Sequence, residues 1–284
     1  MRALLRRLRY WIQSRPPAPL GSEARARREM IQAILACPGC GCPLAASDLE
    51  RSHACGTSIR LVDGVPVFTG AGERYFDRRH VNTATNPYSP KTVELIRRHP
   101  DALILDFGAG NPAPDEIFAN VVRIDFVHYR SADVVATTAN LPFRSETFDH
   151  VVSESVFEHV RDPVHYAREL HRVLKPGGQI IVDSAFLQPL HGDPYHFFNM
   201  TLNGLEEVMK PFRKVRTGVE PYQSAGMAMN ILRQQFLDLV VDPSARAELA
   251  KRVGDFDYCA YDRFLTAKGQ RVMAAGVYFV GIKD

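Results

Sequence analysis

The stretch that decides the fold is Ala102-Leu103-Ile104-Leu105-Asp106-Phe107-Gly108-Ala109-Gly110-Asn111. Leu103-Ile104-Leu105 is apolar without alternation, the pattern of a strand buried on both faces. It closes on an acid, and two glycines follow one residue apart. Gly108 and Gly110 read as a tight turn where backbone approaches a ligand, because a side chain there would stand in the way. Asn111 tolerates a left-handed backbone. A second apolar run, Val121-Val122-Arg123-Ile124, also ends on an acid, Asp125. That spacing suits a β-α-β unit whose second strand offers a carboxylate to a ribose.

Two cofactor classes share this plan. Gly108-Ala109-Gly110-Asn111-Pro112-Ala113 fits the dinucleotide fingerprint formally, but a lone match is weak. A dinucleotide calls for helix amides aimed at a pyrophosphate. Pro112 and Pro114 remove two such donors, and Asp106 sets a negative charge beside the turn. A cationic ligand gains from that charge. S-adenosylmethionine, with a sulfonium, an amino group and no phosphate, is the better match.

The downstream sequence agrees with this choice. Leu105-Asp106-Phe107-Gly108-Ala109-Gly110 is followed in order by Leu141-Pro142-Phe143, Phe148-Asp149-His150-Val151-Val152, Glu158-His159-Val160 and Arg172-Val173-Leu174-Lys175-Pro176-Gly177-Gly178. With these segments, residues 102–183 resemble the class I S-adenosylmethionine-dependent methyltransferases, in particular the L-P-F group known as methyltransferase type 11. The resemblance implies that Asp106 neutralises the methionine amino group, directly or through water. It implies that Asp125 accepts from the ribose hydroxyls, that Gly108 and Gly110 form the turn against the cofactor, and that Asn140 and Leu141 flank the adenine. Two departures stand out. Pro112 replaces a common third glycine, and Thr137 stands where an acid commonly helps hold the adenine.

The fold class expected is α/β: a doubly wound, seven-stranded, mostly parallel, Rossmann-like sheet. Strands are predicted near 102–106, 121–125, 133–136, 148–153, 179–184, 212–219 and 272–282. Helices are predicted from Ser89-Pro90 to about His99, from Pro163 to Leu174, and after Thr201. Lys175-Pro176-Gly177-Gly178 reads as a turn between helix and strand. Between the last two strands lies a helical insertion, about 225–267, where the family usually has a short hairpin. Its apolar residues Met227, Met229, Ile231, Leu232, Phe236 and Leu237 suit a substrate lid, an oligomer contact or plain core packing.

Ahead of this body, taken as residues 70–284, the chain divides twice more. Residues 1–35 hold an amphipathic helix (Leu4, Leu5, Leu8, Trp11, Ile12 on one face), the linker Arg15-Pro16-Pro17-Ala18-Pro19-Leu20-Gly21, and a short helix from Ala24 to Leu35 with Ser22 as cap. The first helix suits either an anionic membrane surface or the protein's own body. Residues 36–69 contain Cys37-Pro38-Gly39-Cys40, a metal knuckle by type, then Leu61-Val62-Asp63-Gly64-Val65-Pro66-Val67-Phe68, a strand, turn and strand. This segment resembles a small zinc ribbon that serves as an activator of tRNA and protein methyltransferases and is also fused ahead of bacterial ones. The second C-x-x-C of that ribbon is broken, with Cys55 present and Ser52 in place of its partner. The resemblance therefore implies a structural zinc on Cys37, Cys40 and Cys55, with Cys42 or His53 as fourth ligand, or else a metal-free ribbon.

The stretch richest in reactive groups is 186–201, after the fifth strand: Phe186-Leu187-Gln188-Pro189-Leu190-His191-Gly192-Asp193-Pro194-Tyr195-His196-Phe197-Phe198-Asn199-Met200-Thr201. A histidine there suits removal of a proton from an acceptor hydroxyl; a metal site and a packed loop are the alternatives. His191, His196 and Glu158 are the candidate catalytic residues. Ser153-Glu154-Ser155-Val156 lacks the N-P-P-Y-like turn of many base-amino methyltransferases.

Composition narrows the partners. The 284 residues carry a net charge of +3, but residues 1–28 hold eight Arg against Glu23, so +7 there leaves −4 for the rest. Such a body is a poor match for a large nucleic-acid substrate. Cysteine usage and the lack of an apolar span of roughly 20 residues suit a cytoplasmic chain, membrane-peripheral if the first helix docks on lipid. The expected activity is methyl transfer to a small-molecule or glycan acceptor, on oxygen. Rival readings are a silent methyltransferase-like binding module and an RNA or protein methyltransferase that uses the ribbon for recognition.

Overall fold

Continuous apolar runs form the middle of the sheet, where both faces are covered. Strand β4 (Ile104–Phe107) pairs in parallel with β5 (Val121–Asp125) on one side and β8 (Phe148–Glu154) on the other. The computed structural model describes residues 21–49, 53, 55–70, 73–85, 87–192, 195–254 and 256–284. The amphipathic helix expected from Met1 to about Ser14 and linker residues 15–20 lie outside the described residues.

Outward from the centre, β5 pairs in parallel with β7 (Val134–Ala136), and β8 with the long β9 (Leu174–Ala185). β11 (Gly276–Ile282) runs antiparallel to β9, and β10 (Arg213–Gly218) antiparallel to β11. These are the seven strands expected. The sheet, however, has nine: β1 (Ser58–Val62) and β2 (Val65–Thr69) extend its β7 edge, giving the order β1-β2-β7-β5-β4-β8-β9-β11-β10. β2 joins through Val67 opposite Val135 and Phe68 opposite Ala136. The two-residue Asp63-Gly64 turn, with φ of 52° and 79°, is the left-handed kind that matches hairpin twist. A separate pair, β3 (Phe76–Asp77) and β6 (Val127–His128), was not foreseen.

Helices cover both faces. Helix α2 (Pro90–Arg98) packs Leu95 and Ile96 on Ile104, Val121, Val152 and Ile181. Helix α3 (Pro163–Val173) packs Ala167, Leu170 and Val173 in the cluster of Leu105, Val122 and Val151 on the other face. Pro at the first helical position and a capping side chain start both, Ser89 accepting from Thr92 N and Asp162 from His165 N.

Three sequence expectations change. The crossover from β4 to β5 is not helical but holds one 3-10 turn, Pro114–Glu116, because Pro112 and Pro114 lack the amide donors a helix needs. Lys175-Pro176-Gly177-Gly178 belongs to β9, whose irregular start is bonded through Gly177 N to Lys283 O at 2.7 Å. The short N-terminal helix, α1 (Gly21–Ile34), includes Ser22 rather than starting after it.

The N-terminal elements share the body's core. Ile31 and Leu35 of the α1 region, and Leu44, Ile59 and Phe68 of the ribbon region, lie in the same buried cluster as Leu105 and Phe143. Arg27 fastens α1 to the sheet, pairing with Asp133 at 2.7 Å and donating to the carbonyls of Ala119 and Val121. The insertion after β10 is helical as expected: α4 (Leu202–Val208) precedes β10, then come α5 (Ala225–Leu239), α6 (Pro243–Val253), a 3-10 stretch at Tyr258–Phe264 and α7 (Ala267–Met273). Leu237 is buried, but Leu232, Phe236 and Leu239 face solvent. No described helix is long and apolar enough to cross a membrane.

Candidate active site

The turn after β4 sits at the carboxyl edge of the sheet, where α/β folds bind ligands. The amides of Gly108 and Ala109 both donate to Ile124 O, which folds the turn over the end of β5. Gly108 has φ +78° and Gly110 φ +58°. A Cβ on Gly108 would stand 2.3 Å from Val156 Cγ2, and one on Gly110 2.7 Å from Thr85 Oγ1. The glycines are thus required by the protein's own packing, which the sequence reading ascribed to a ligand.

Asp125 clamps this turn. Its Oδ2 accepts from Gly110 N at 2.7 Å and its Oδ1 from Val127 N at 2.9 Å. Each oxygen keeps a further lone pair for another donor. Burial pushes the carboxyl up to about 6. Asp106, one strand over on the α2 face, receives the Tyr88 hydroxyl, and burial pushes it up to about 7. Burial and the adjacent carboxylate also raise the Tyr88 hydroxyl well above its ordinary range.

The same face carries a partly buried polar layer that the sequence did not reveal. Glu154 accepts from the Ser89 amide and hydroxyl and from Thr92 Oγ1. Lys91 pairs with Asp183 at 2.7 Å, and Tyr222 donates to the same Asp183 oxygen at 2.6 Å. Among the described residues, Asp183 Oδ1, Ser153 Oγ and Thr137 Oγ1 are buried without a hydrogen-bond partner.

The L-P-F loop is more structural than expected. Leu141 is buried in the main core, and its amide donates to Glu169 Oε2 at 2.8 Å. Asn140 Nδ2 donates to Pro38 O at 2.8 Å, and His165 Nε2 lies 3.1 Å from Asn140 Oδ1. The polar atoms of Asn140 and the Leu141 amide thus hold the loop.

The expected catalytic residues do converge. Glu158 is fully buried; its Oε2 accepts from Ser184 Oγ at 3.1 Å and its Oε1 from Ala185 N at 3.3 Å. His191 Nε2 lies 4.0 Å from Glu158 Oε1. The rings of His159, His191 and His196 cluster, with 4.3 Å between the centroids of the last two. His196 is spent as a brace: its Nε2 meets Asn199 Oδ1 at 2.8 Å and its Nδ1 the amide of His191 at 3.1 Å. His159, which the sequence presented only as the neighbour of Glu158, is a full member of the cluster.

At the ribbon, one ligand atom from each of Cys37, Cys40, His53 and Cys55 lies within 4.8 Å of the others. His53, not Cys42, completes the set: its Nδ1 is 3.3 Å from Cys55 Sγ and 3.6 Å from Cys40 Sγ. Hydrogen bonds from Thr57 and His53 bring the Cys55 thiol down to about 6, while burial raises Cys37.

Comparison with known proteins gives the domain a family. Residues 105–182 match the methyltransferase domain family. The centre of the sheet is a methyltransferase domain. It is 29% identical over 114 residues to a tRNA U34 carboxymethyltransferase from Cellvibrio japonicus, covering 33% of this chain and 35% of that one. It is 30% identical over 133 residues to a ubiquinone biosynthesis O-methyltransferase from Dinoroseobacter shibae, covering 40% and 48%. The chain thus spans about a third to a half of these curated relatives. Among solved structures, a Haemonchus contortus phosphoethanolamine N-methyltransferase 2 in complex with S-adenosyl-L-methionine is similar at 16% identity and a TM-score of 0.43, over 71% of this chain and 54% of that one. The methyltransferase domain spans β4 through most of β9, and so includes Asp106, Asp125, Leu141 and Glu158.

Proposed function

We propose that the chain is an S-adenosylmethionine-dependent methyltransferase that acts on a small-molecule acceptor through an oxygen atom. The observation that carries this reading is the pair Asp106 and Asp125. They are buried carboxylates at the ends of adjacent parallel strands, on either side of the glycine turn, held by neutral donors: the Tyr88 hydroxyl and the Gly110 and Val127 amides. Burial raises both, so an entering cation restores their charge.

S-adenosylmethionine, when bound, supplies a methyl group already activated on a sulfonium. Asp106 would hold the amino group and Asp125 the ribose hydroxyls, and the unpartnered Thr137 hydroxyl lies on the way to the L-P-F loop. His191 would face the acceptor. Its Nδ1 donates to Pro189 O at 2.9 Å, so that in the neutral imidazole Nε2 keeps the lone pair that can take a hydroxyl proton. An oxygen acceptor is favoured by that histidine and by the named activity of the Dinoroseobacter relative.

The test is transfer of labelled methyl from S-adenosylmethionine to a panel of small hydroxylated aromatics and saccharides, with total RNA as a separate arm. Label in a small product, reduced in His191→Gln, is the expected result. Label in RNA alone contradicts the acceptor class.

We further propose that Cys37, Cys40, His53 and Cys55 hold a structural zinc. Three thiols and an imidazole are a common donor set for a closed tetrahedral site. Elemental analysis of the purified chain should find zinc at one equivalent; a chain folded without it contradicts the assignment.

A further inference from the structure

The Glu158 cluster has a feature that acid–base chemistry does not require. His159 Nδ1 lies 2.7 Å from Tyr195 O, and His191 Nδ1 lies 2.9 Å from Pro189 O. A carbonyl oxygen only accepts, so both Nδ1 atoms carry a hydrogen, and in the neutral imidazole each Nε2 then keeps its lone pair. Those imidazoles meet a buried carboxylate, and one ligand atom from each of Glu158, His159 and His191 lies within 4.8 Å of the other two. Three groups that can each donate an electron pair are thus drawn together in the fold.

We propose that Glu158, His159 and His191 form a site for a first-row divalent transition metal, distinct from the ribbon's zinc site, with open positions for an oxygen ligand. Two imidazoles and a carboxylate suit such metals better than magnesium or calcium, which favour all-oxygen sites. The outer contacts are those of a built site. Backbone carbonyls orient both imidazoles, and Ser184 Oγ and Ala185 N orient the carboxylate. The loop that brings His191 is braced by His196, Asn199 and the Gln188 carbonyl. Gly192, at φ +86°, lets that loop close on His159, since a Cβ there would stand 2.6 Å from the His159 ring.

The place of the site gives it a use. Val156, two residues before Glu158, packs against Gly108 of the glycine turn. The cluster thus adjoins the proposed cofactor site, and both histidines are only partly buried. A metal there would occupy the His191 lone pair in place of the proton-accepting role, and would bind, orient and acidify an acceptor through its oxygen, a chelating diol or enol above all. This use rests on the methyl-transfer reading; the metal site itself does not.

The full chain, supplied with one equivalent of zinc, is titrated with cobalt(II) by calorimetry and visible absorption, and with S-adenosylmethionine in the same samples. The expected result is one further equivalent of cobalt without thiolate charge-transfer absorption. His159→Gln and His191→Gln, at partly exposed positions, should each weaken it by about tenfold or more, while Cys40→Ser leaves it in place. No cobalt beyond the ribbon, cobalt bound with thiolate absorption only, or cobalt retained in the double histidine variant overturns the proposal. Cofactor binding without cobalt leaves methyl transfer standing, and cobalt without cofactor leaves the metal site standing. A proton shared between His191 and Glu158 would show as the first of these.

Discussion

Asn140 Nδ2 donates to the carbonyl of Pro38 at 2.8 Å, joining residues 102 apart in sequence. The bond lies within a larger seam. Ala36 N donates to Pro142 O at 3.0 Å, Arg144 N to Ile34 O at 3.0 Å, and Leu35 bridges Phe143. The cysteine knuckle and the L-P-F loop are therefore one mechanical unit, although the first lies in the ribbon and the second beside the proposed cofactor site.

Asn140→Ala tests that coupling. Losing the hydrogen bond should cost about 1 kcal/mol of stability and weaken S-adenosylmethionine binding several-fold, with zinc content unchanged. Calorimetry beside metal analysis reads both; unaltered cofactor affinity would show that the seam does not reach the site.

The ligand set of the ribbon can be sorted by substitution. Cys55→Ser and His53→Ala should each lower zinc occupancy and melting temperature, whereas Cys42→Ser should leave both as they are. Loss of zinc in Cys42→Ser would move the fourth ligand to that thiol.

Asp106 sets a pH dependence of known sign. Its carboxyl stands near 3.8 in the unfolded chain and about 7 in the fold. Between these values the folded state holds the extra proton, so this group's contribution to stability falls as pH rises from about 4 to 7. Asp106→Asn should therefore gain in melting temperature relative to the unsubstituted chain across that window and level off above it. Cofactor affinity should run the other way, dropping below about pH 7 in the unsubstituted chain as the carboxylate is neutralised, and staying weak and flat in the variant. A constant difference in melting temperature across the window would remove Asp106 as the titrating group.

Gly108→Ala meets two obstacles. The backbone is left-handed at φ +78°, and the new methyl would stand 2.3 Å from Val156 Cγ2. The backbone alone should cost roughly 1–2 kcal/mol, and the contact more. Adding Val156→Ala should recover the contact part but not the backbone part. Denaturant unfolding of both variants separates them; complete recovery in the double variant would mean that the left-handed backbone carries no cost.

The sequence was most legible where one physical demand ruled. Val121–Asp125 is buried on both faces, and its apolar run marks the strand end to end. Ser89-Pro90 and Thr201 announce their helices because capping needs only neighbours in sequence. Contacts between distant segments were hidden. Nothing in Val67-Phe68 says that the strand pairs with Val135-Ala136 and makes the sheet nine strands wide. Tyr88 reaching Asp106, Lys91 reaching Asp183 and His53 joining the cysteines are likewise products of the assembled fold. Of the candidate catalytic residues, Glu158 and His191 come within 4.0 Å, whereas His196 serves as a brace and His159 takes its place in the cluster.

The most direct test of the account is calorimetric titration of the full chain with S-adenosylmethionine, with Asp125→Ala as control, Asp125→Asn as a milder variant and NAD as a rival ligand. The account predicts micromolar binding of S-adenosylmethionine, weakened in both variants while they remain folded, and no heat with NAD. An intact, zinc-loaded chain that fails to bind S-adenosylmethionine would contradict it.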